Sequence, residues 1–397
     1  MPTRMTWYIV AEILKIFVVA LIALTLLILL IGVARTLLRE GLGPLAIIQL
    51  LPYVLPIALQ FSFPATALFA VCCVYGRMAS DGEIAAIKAS GVSPLRLVSP
   101  AFVLAALLSP ISVGLSDLAV SWGRPGVNRI VMLSIEDIVY RTLRAQHTYA
   151  DGDHGFSIYV HDVSGKSLIA PRVTIKSGSR PMKISAREGR LTMDAQSESL
   201  MLQLVDCRFD QSGTVTGIMP GTTDYEIPLS GSLSRSGPGT TRPQELPLRL
   251  LDDERVYQES QTRTIAGTRA AQVGFSIMTS RLDEIGGITE VSVANQLRAS
   301  RERLVRLKLE PWRRWAEGCS CFFFVLIGAP LAMIAKTSDY WTTFGICFLP
   351  ILLIYYPLFI LGLEQAKDAN IPPYGVWLGN VLLGTIGVIL LARVRRY

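Results

Sequence analysis

The sequence predicts an α-helical polytopic membrane protein of six transmembrane helices, three on either side of an inserted all-β domain of jellyroll type. Three observations predict it. Charged residues are only 17% of the chain and the mean hydropathy is +0.42, whereas charged residues make up about 25% of ordinary soluble proteins. The apolar residues gather into six long runs, three before and three after a polar stretch. Trp7, Trp122, Trp312, Trp315, Trp341 and Trp377 all fall near run ends, as in the aromatic belt of a bilayer interface. The net charge of +7 forms no stripe with interleaved aromatics, so nucleic acid is not the partner it points to.

The first run, Ile16 to Ala34, holds no charge. At about 1.5 Å per residue it covers nearly the whole hydrocarbon core of roughly 30 Å. It is too long for the apolar part of a signal peptide, no small-residue cleavage site follows it, and the flank Arg35–Glu40 suits a retained helix. The other runs are Pro52–Tyr75, Leu97–Trp122, Ala316–Ala335, Trp341–Leu363 and Tyr374–Ala392. Pro56, Pro64, Pro100, Pro110, Pro330, Pro350 and Pro357 lie inside them. Each costs about 3 kcal/mol in a soluble helix, whereas in a membrane the neighbouring helices satisfy the freed carbonyls.

Six spans place both termini on one side. The short segments of that side carry Arg4, Lys15, Arg77, Lys88, Arg96, Lys336, Arg393, Arg395 and Arg396, against Arg35, Arg39 and Lys367 on the other. Positive residues stay inside, so the termini are expected in the cytoplasm and the insert beyond the inner membrane. The chain then divides into 1–122 (three spans with a cytoplasmic loop, 76–96), 123–230 (β domain), 231–312 (linker and helical segment) and 313–397 (three spans).

From Gly123 to Ile227 short alternating segments are punctuated by Gly and Ser. They include Phe156–Val160, Arg172–Ile175, Met182–Ser185 and Leu200–Val205, and the pattern reads as a β-sandwich or jellyroll. Ser230 to Thr241 reads as a Gly/Ser-rich linker. From Leu246 the composition turns helical, and Glu290 to Trp315 feeds into the fourth span. Five cysteines lie in apolar runs and Cys207 is alone in the insert, so all six read as small buried hydrophobes. His147, His154 and His161 lie near Asp151, Asp153 and Asp162. Their spacing of seven puts His154 and His161 on opposite faces of any shared strand, so solvated loop residues are expected and no metal site.

No P-loop, zinc-protease or nucleophile-elbow motif occurs, and no catalytic residue is assigned. The spans hold almost no Asp, Glu or His at mid-depth, with Asp117 near an outer end. Ion-coupled carriers keep such residues at the midplane, so an external ATPase is the expected motor and no cofactor is expected on this chain.

The loop between spans two and three runs from Tyr75 to Pro94. Ser80 and Glu83 have capping-box spacing, which predicts a helix start there. Gly91 and Ser93-Pro94 predict its end. Ile84 and Ile87 share one face. Two readings stand: a short helix that docks in a groove of a cytoplasmic protein, or one lying on the membrane.

This loop also carries a resemblance. Gly76-Arg77-Met78, then Asp81-Gly82-Glu83-Ile84, Ala86, Lys88-Ala89-Ser90-Gly91-Val92-Ser93, is similar to the signature loop of the LptF/LptG permeases of lipopolysaccharide-export ABC transporters. Leu51–Pro56 resembles the opening of that family's second span, Gly328–Leu331 its fourth span and Ile354–Tyr356 its fifth, so the resemblance covers nearly the whole chain. It departs at Asp206-Cys207, where a glycine is expected after the last core strand, and from Ser230 to Glu290.

The resemblance implies a non-catalytic permease of the inner membrane, its insert periplasmic, that extracts lipopolysaccharide or a related lipid. Implied partners are a cytoplasmic ABC ATPase dimer that uses the ATP, a second permease of the family, and a periplasmic jellyroll bridge protein with or without its own membrane span. Arg77, Asp81, Glu83, Ile84, Ile87 and Lys88 are the expected ATPase-coupling residues. The residues add a substrate reading. Arg35 and Arg39 lie four apart on one helix face, and Arg301, Arg303, Arg306, Lys308, Arg313 and Arg314 precede the fourth span. Arginine pairs bidentately with phosphate, so Arg35, Arg39, Arg313 and Arg314 are taken as contacts for a phosphorylated head group. The alternatives there are ordinary anionic phospholipid, or acids such as Glu302 and Glu310. Alternatives for the whole chain are a polytopic enzyme acting on envelope lipid, which needs a clustered acid, base or nucleophile, or a mechanotransmitting ABC subunit, which usually has four spans.

Overall fold

The computed structural model describes residues 2–40, 44–151, 156–177, 180–194, 199–211, 215–228, 239, 241–280, 288–335 and 339–396. His154, Asp153, Lys336 and all of the Ser230–Thr241 linker except Gly239 and Thr241 lie outside them. The chain forms two compact units, one of residues 1–29, 54–123 and 242–397, the other of 30–53 and 124–241.

The helices are α1 (Pro2–Glu40), α2 (Pro44–Ser80), α3 (Glu83–Ala89), α4 (Pro94–Leu118), α5 (Arg124–Gln146), α6 (Leu248–Met278), α7 (Ile288–Ala335), α8 (Tyr340–Pro350), α9 (Tyr356–Lys367) and α10 (Leu378–Arg396). Among the described residues six segments are long and apolar enough to cross a membrane: Arg4–Arg35, Ile47–Ser80, Pro94–Val127, Glu290–Ala335, Trp341–Lys367 and Pro373–Val394. Each contains one of the six expected runs. Pro100, Pro110, Pro311, Pro330 and Pro350 sit inside helix. A π turn, Ile351–Tyr355, follows Pro350 directly, where the ring removes a backbone donor and the ladder must widen or break.

In the first unit the fourth span is the axis. Its most apolar stretch is 67% buried, against 17% for the first span, whose outer faces are left to lipid. The core joins Ile9, Ile13 and Phe17 of α1 to Leu68, Val71 and Tyr75 of α2, Val98 and Ala101 of α4, and Ile327 and Ala332 of α7. At Gly318 the helices nearly touch, because a Cβ there would stand 2.2 Å from the Val113 side chain and 3.0 Å from its backbone nitrogen. Only glycine fits that contact, as at close helix crossings in membranes.

Ahead of the apolar run Ala316–Ala335, the first half of α7 forms an antiparallel hairpin with α6. Its inner seam is polar: Arg303 pairs with Glu254 (2.7 Å), Gln258 donates to the Ser300 hydroxyl (2.7 Å), and Arg269 pairs with Glu290 (2.8 Å). Lys308 binds Glu259 at 3.1 Å, and this hydrogen bond and charge hold the Glu259 carboxyl below its ordinary range.

The second unit holds, among the described residues, a nine-stranded antiparallel sheet, β1 (Thr148–Asp151), β2 (Phe156–Tyr159), β3 (Asp162–Ser164), β4 (Ser167–Ile169), β5 (Arg172–Ser177), β6 (Arg180–Ser185), β7 (Glu188–Asp194), β8 (Ser199–Gln211) and β9 (Val215–Pro228). The order is β1-β2-β5-β6-β8-β7-β4-β3, with β9 along the other side of β8, a half-barrel rather than a closed barrel. One expectation is corrected here. Residues 124–146 are not short alternating segments but the helix α5. Pro125 lies just after a π turn, Ala119–Gly123, that joins α4 to α5 without a break, and Val139, Tyr140 and Leu143 fall on one helical face. That face packs on Ile158, Leu168, Val173, Leu191 and Leu202. The Tyr140 hydroxyl donates to the Lys166 carbonyl (2.8 Å) and accepts from Leu191 N–H (2.9 Å), so burying it leaves no orphan polar group.

Strand β8 is the spine of the sheet. On one side it pairs with β7 up to Val205 and with β6 from Arg208, and the change of partner is made at a bulge. The bulge residue is Asp206, at φ +54°. The expected glycine position is therefore real, but it lies inside β8 rather than after the last core strand. Aspartate tolerates the left-handed region because its carboxylate finds local donors. Here it accepts from Gly221 N–H (3.2 Å) and pairs with the Arg187 guanidinium.

Candidate functional site

Helix α3 is seven residues long, too short to hold itself in isolation, so its neighbours must fix it. Its start follows Gly82 at φ +74°, a conformation that disfavours any side chain. The expected capping box does not form. The Ser80 hydroxyl donates instead to the Arg77 carbonyl at 2.9 Å, closing the end of α2. Its end does follow the expectation. Gly91 lies at φ +82°, Gly91 N–H donates to Lys88 and Val92 N–H to Ile87, which is a Schellman motif.

The apolar face of α3 points inward. Ile84 is 7% exposed within the core of the bundle, and Ile87 packs against the same core. Ile84 therefore lies inside the core rather than on a face offered to a partner, and Ile87 is partly buried beside it, which is what seats the helix. Gly82, Ala85, Ala86 and Ala89, spaced i, i+3, i+4 and i+7, form the exposed face, with Asp81 and Ser90 at its ends and Glu83 and Lys88 half-buried beside it. The alanines were missed in sequence because they carry no chemistry. The helical spacing relative to Ile84 is the signal that finds them.

Arg77 is likewise turned inward. It donates to the Tyr8 hydroxyl (3.4 Å) and lies 3.5 Å from Glu12, tying the second span to the first. The Tyr75 hydroxyl donates to the Leu97 carbonyl at 2.9 Å, tying the second span to the third. The loop helix thus sits on a cross-braced base of three spans.

At the other ends of the spans the expected basic residues separate. Arg35 is exposed near the end of α1, while the side chain of Arg39 in the same helix lies outside the described residues. Arg313 and Arg314 are internal. Arg314 is fully buried, donating to Glu310 (3.2 Å), Asp117 (3.0 Å) and the Leu246 carbonyl (2.6 Å). Arg313 donates to Glu310 (2.5 Å) and Glu317 (3.1 Å). The assignment of this pair to substrate phosphate is therefore corrected. Each guanidinium already has carboxylate partners, and desolvating it without them would cost several kcal/mol.

His147 and His161 lie in the second unit, His147 at φ +55°. Among the described residues no three His, Cys, Asp or Glu side chains converge. Cys72, Cys73, Cys207, Cys321 and Cys347 are buried free thiols and Cys319 is partly buried.

The family described as "Lipopolysaccharide export system permease LptF/LptG" matches residues 7–393. No curated protein matches the chain.

Proposed function

The chain belongs to the LptF/LptG family of lipopolysaccharide export permeases, a multi-pass inner-membrane transport protein, and on that premise we propose that it is one of two permeases in an ABC exporter. A separate cytoplasmic ATPase dimer uses the ATP, since this sequence holds no P-loop. The paired permeases draw lipopolysaccharide or a related lipid from the outer leaflet. They pass it to the inserted β domain and on to a periplasmic bridge protein of jellyroll type. No cofactor is needed on this chain.

The observation that carries this reading is the form of α3. It is a short helix anchored on the bundle by Ile84, with Asp81, Glu83 and a smooth alanine face left for a partner. A groove on the ATPase that receives this face would move α3, and with it the three braced spans. Lys88 would flank the contact, while Arg77, Ile84 and Ile87 hold its base. The excess of Lys and Arg on the loops beside α3 supports placing that face and both termini in the cytoplasm, with the insert in the periplasm. Arg35 and Arg39 remain the proposed head-group contacts at the opposite end of the first span.

Co-purification tests the central claim. The ATPase should be recovered with the wild-type chain and lost with Glu83→Lys. Undiminished recovery with this variant overturns the coupling role. Arg35→Glu with Arg39→Glu should weaken lipopolysaccharide crosslinking and its stimulation of ATP hydrolysis, and unchanged values for both would remove those residues from the substrate path.

A further inference from the structure

The ion pairs of the hairpin leave a remainder. Arg269, Arg298, Arg303 and Lys308 are held by Glu290, Glu302, Glu254 and Glu259, and Arg313 and Arg314 by Glu310. Arg301 and Arg306 are exposed, and neither has a carboxylate partner among the described residues. Both line a cleft of about 730 Å³ between α7 and the segment Glu364–Ala369 at the end of α9. Its wall includes Leu297 and Val305, and its rim carries Lys367, bound to Glu364 at 2.7 Å, and the exposed carboxylate of Asp368.

We propose that this cleft holds a phosphorylated sugar head group of the exported lipid, gripped by Arg301 and Arg306. The inference rests on the permease reading above and names a substrate contact for it. The chemistry is that of two guanidiniums with free forks, which match phosphate oxygens bidentately, as the compact charge of lysine does not. Height decides which lipid. Trp312 belongs to the tryptophans that fall near the span ends, as an aromatic belt at the interface does, and Arg306 and Arg301 precede it by six and eleven residues in one helix. At 1.5 Å per residue these are about 9 and 17 Å farther out along α7. The head-group layer of ordinary phospholipid adds only about 5–8 Å beyond the hydrocarbon. Arg301 therefore stands above phospholipid phosphates and within reach of a lipid whose phosphorylated sugars extend farther.

The test uses the full chain in complex with its ATPase, in vesicles of phosphatidylethanolamine and phosphatidylglycerol. A photoreactive residue replaces Val305 in the cleft, and in a second preparation Ala34, beside Arg35. The Val305 probe should capture lipopolysaccharide, and Arg301→Gln with Arg306→Gln should lower that capture about tenfold, the worth of one charge-assisted contact. Arg301→Lys with Arg306→Lys should restore part of it. Lipopolysaccharide stripped of phosphate should be captured poorly and without regard to these substitutions. Unchanged capture by the double glutamine variant overturns the proposal, and so does equal capture of phosphatidylglycerol. Capture at Ala34 with none at Val305 refutes the cleft and leaves the permease standing. Failure at both positions, with ATP hydrolysis unmoved by lipopolysaccharide, removes both readings.

Discussion

Arg314 and Asp117, 197 residues apart in the chain, meet at 3.0 Å at the ends of the fourth and third spans. The same Asp117 oxygen accepts the N–H of Leu248 at 2.7 Å, at the first residue of α6, where a carboxylate also opposes the positive end of the helix dipole. One buried cation and one acid thus fasten two spans to the root of the hairpin.

Removing Arg314 leaves Asp117 with Leu248 N–H as its remaining donor here and Glu310 with Arg313. Arg314→Met should lower the stability of the detergent-solubilised protein by about 3–5 kcal/mol, the range for breaking a buried pair. Arg314→Lys should rescue little, because three separate nitrogens serve three acceptors here. Adding Asp117→Asn to Arg314→Met should cost less than the sum of the two single changes. Thermal melting followed by size-exclusion chromatography reads all of these, and strict additivity would contradict the joint.

The two faces of α3 should respond differently to substitution. Ile84→Ala should cost about 2–4 kcal/mol locally by opening a cavity under the helix, seen as faster amide exchange across Glu83–Ala89. Ala86→Arg, on the exposed face, should leave exchange unchanged yet reduce ATPase recovery. If Ala86→Arg retains the ATPase fully, the exposed face is not the docking surface.

At Asp206 the backbone asks for glycine and the side chain supplies two contacts instead. Asp206→Gly should be nearly neutral. Asp206→Ala should cost about 1–2 kcal/mol, because it keeps the left-handed strain and loses the bonds. Urea unfolding compared across the three proteins checks the order, and equal losses for Gly and Ala would show that strain is not the issue.

Asp339 caps α8, accepting from Thr342 N–H at 3.0 Å and from the Thr342 hydroxyl, and these bonds hold its carboxyl below the ordinary range. A carboxyl lowered in the folded state stabilises it above the unfolded value. That contribution fades as pH falls through the lowered one. Amide protection at Thr342 should therefore drop with acidification in the wild type and be low at all pH values in Asp339→Ala. Protection independent of pH in the wild type would rule the cap out.

Much of this architecture was legible in the chain because membranes impose local rules. A run such as Ile16–Ala34 must be helical, since no water is present to satisfy its backbone. Gly91 marked the end of α3 because only glycine enters that conformation freely. The family's loop residues from Gly76 to Ser93 named the candidate coupling site. Helix α5 was overlooked because Pro125-Gly126 resembles a break and because its apolar face is completed only by the sheet it covers.

The sequence by itself determined the number of spans, the presence of an inserted β domain and the short loop helix, all of which depend on patterns within tens of residues. Only the tertiary structure decided which face of α3 is free, and that Arg313 and Arg314 are internal while Arg301 and Arg306 are not. A charge is available or spent according to partners such as Asp117 and Glu254, which folding brings from distant parts of the chain. Local periodicity carries no record of them.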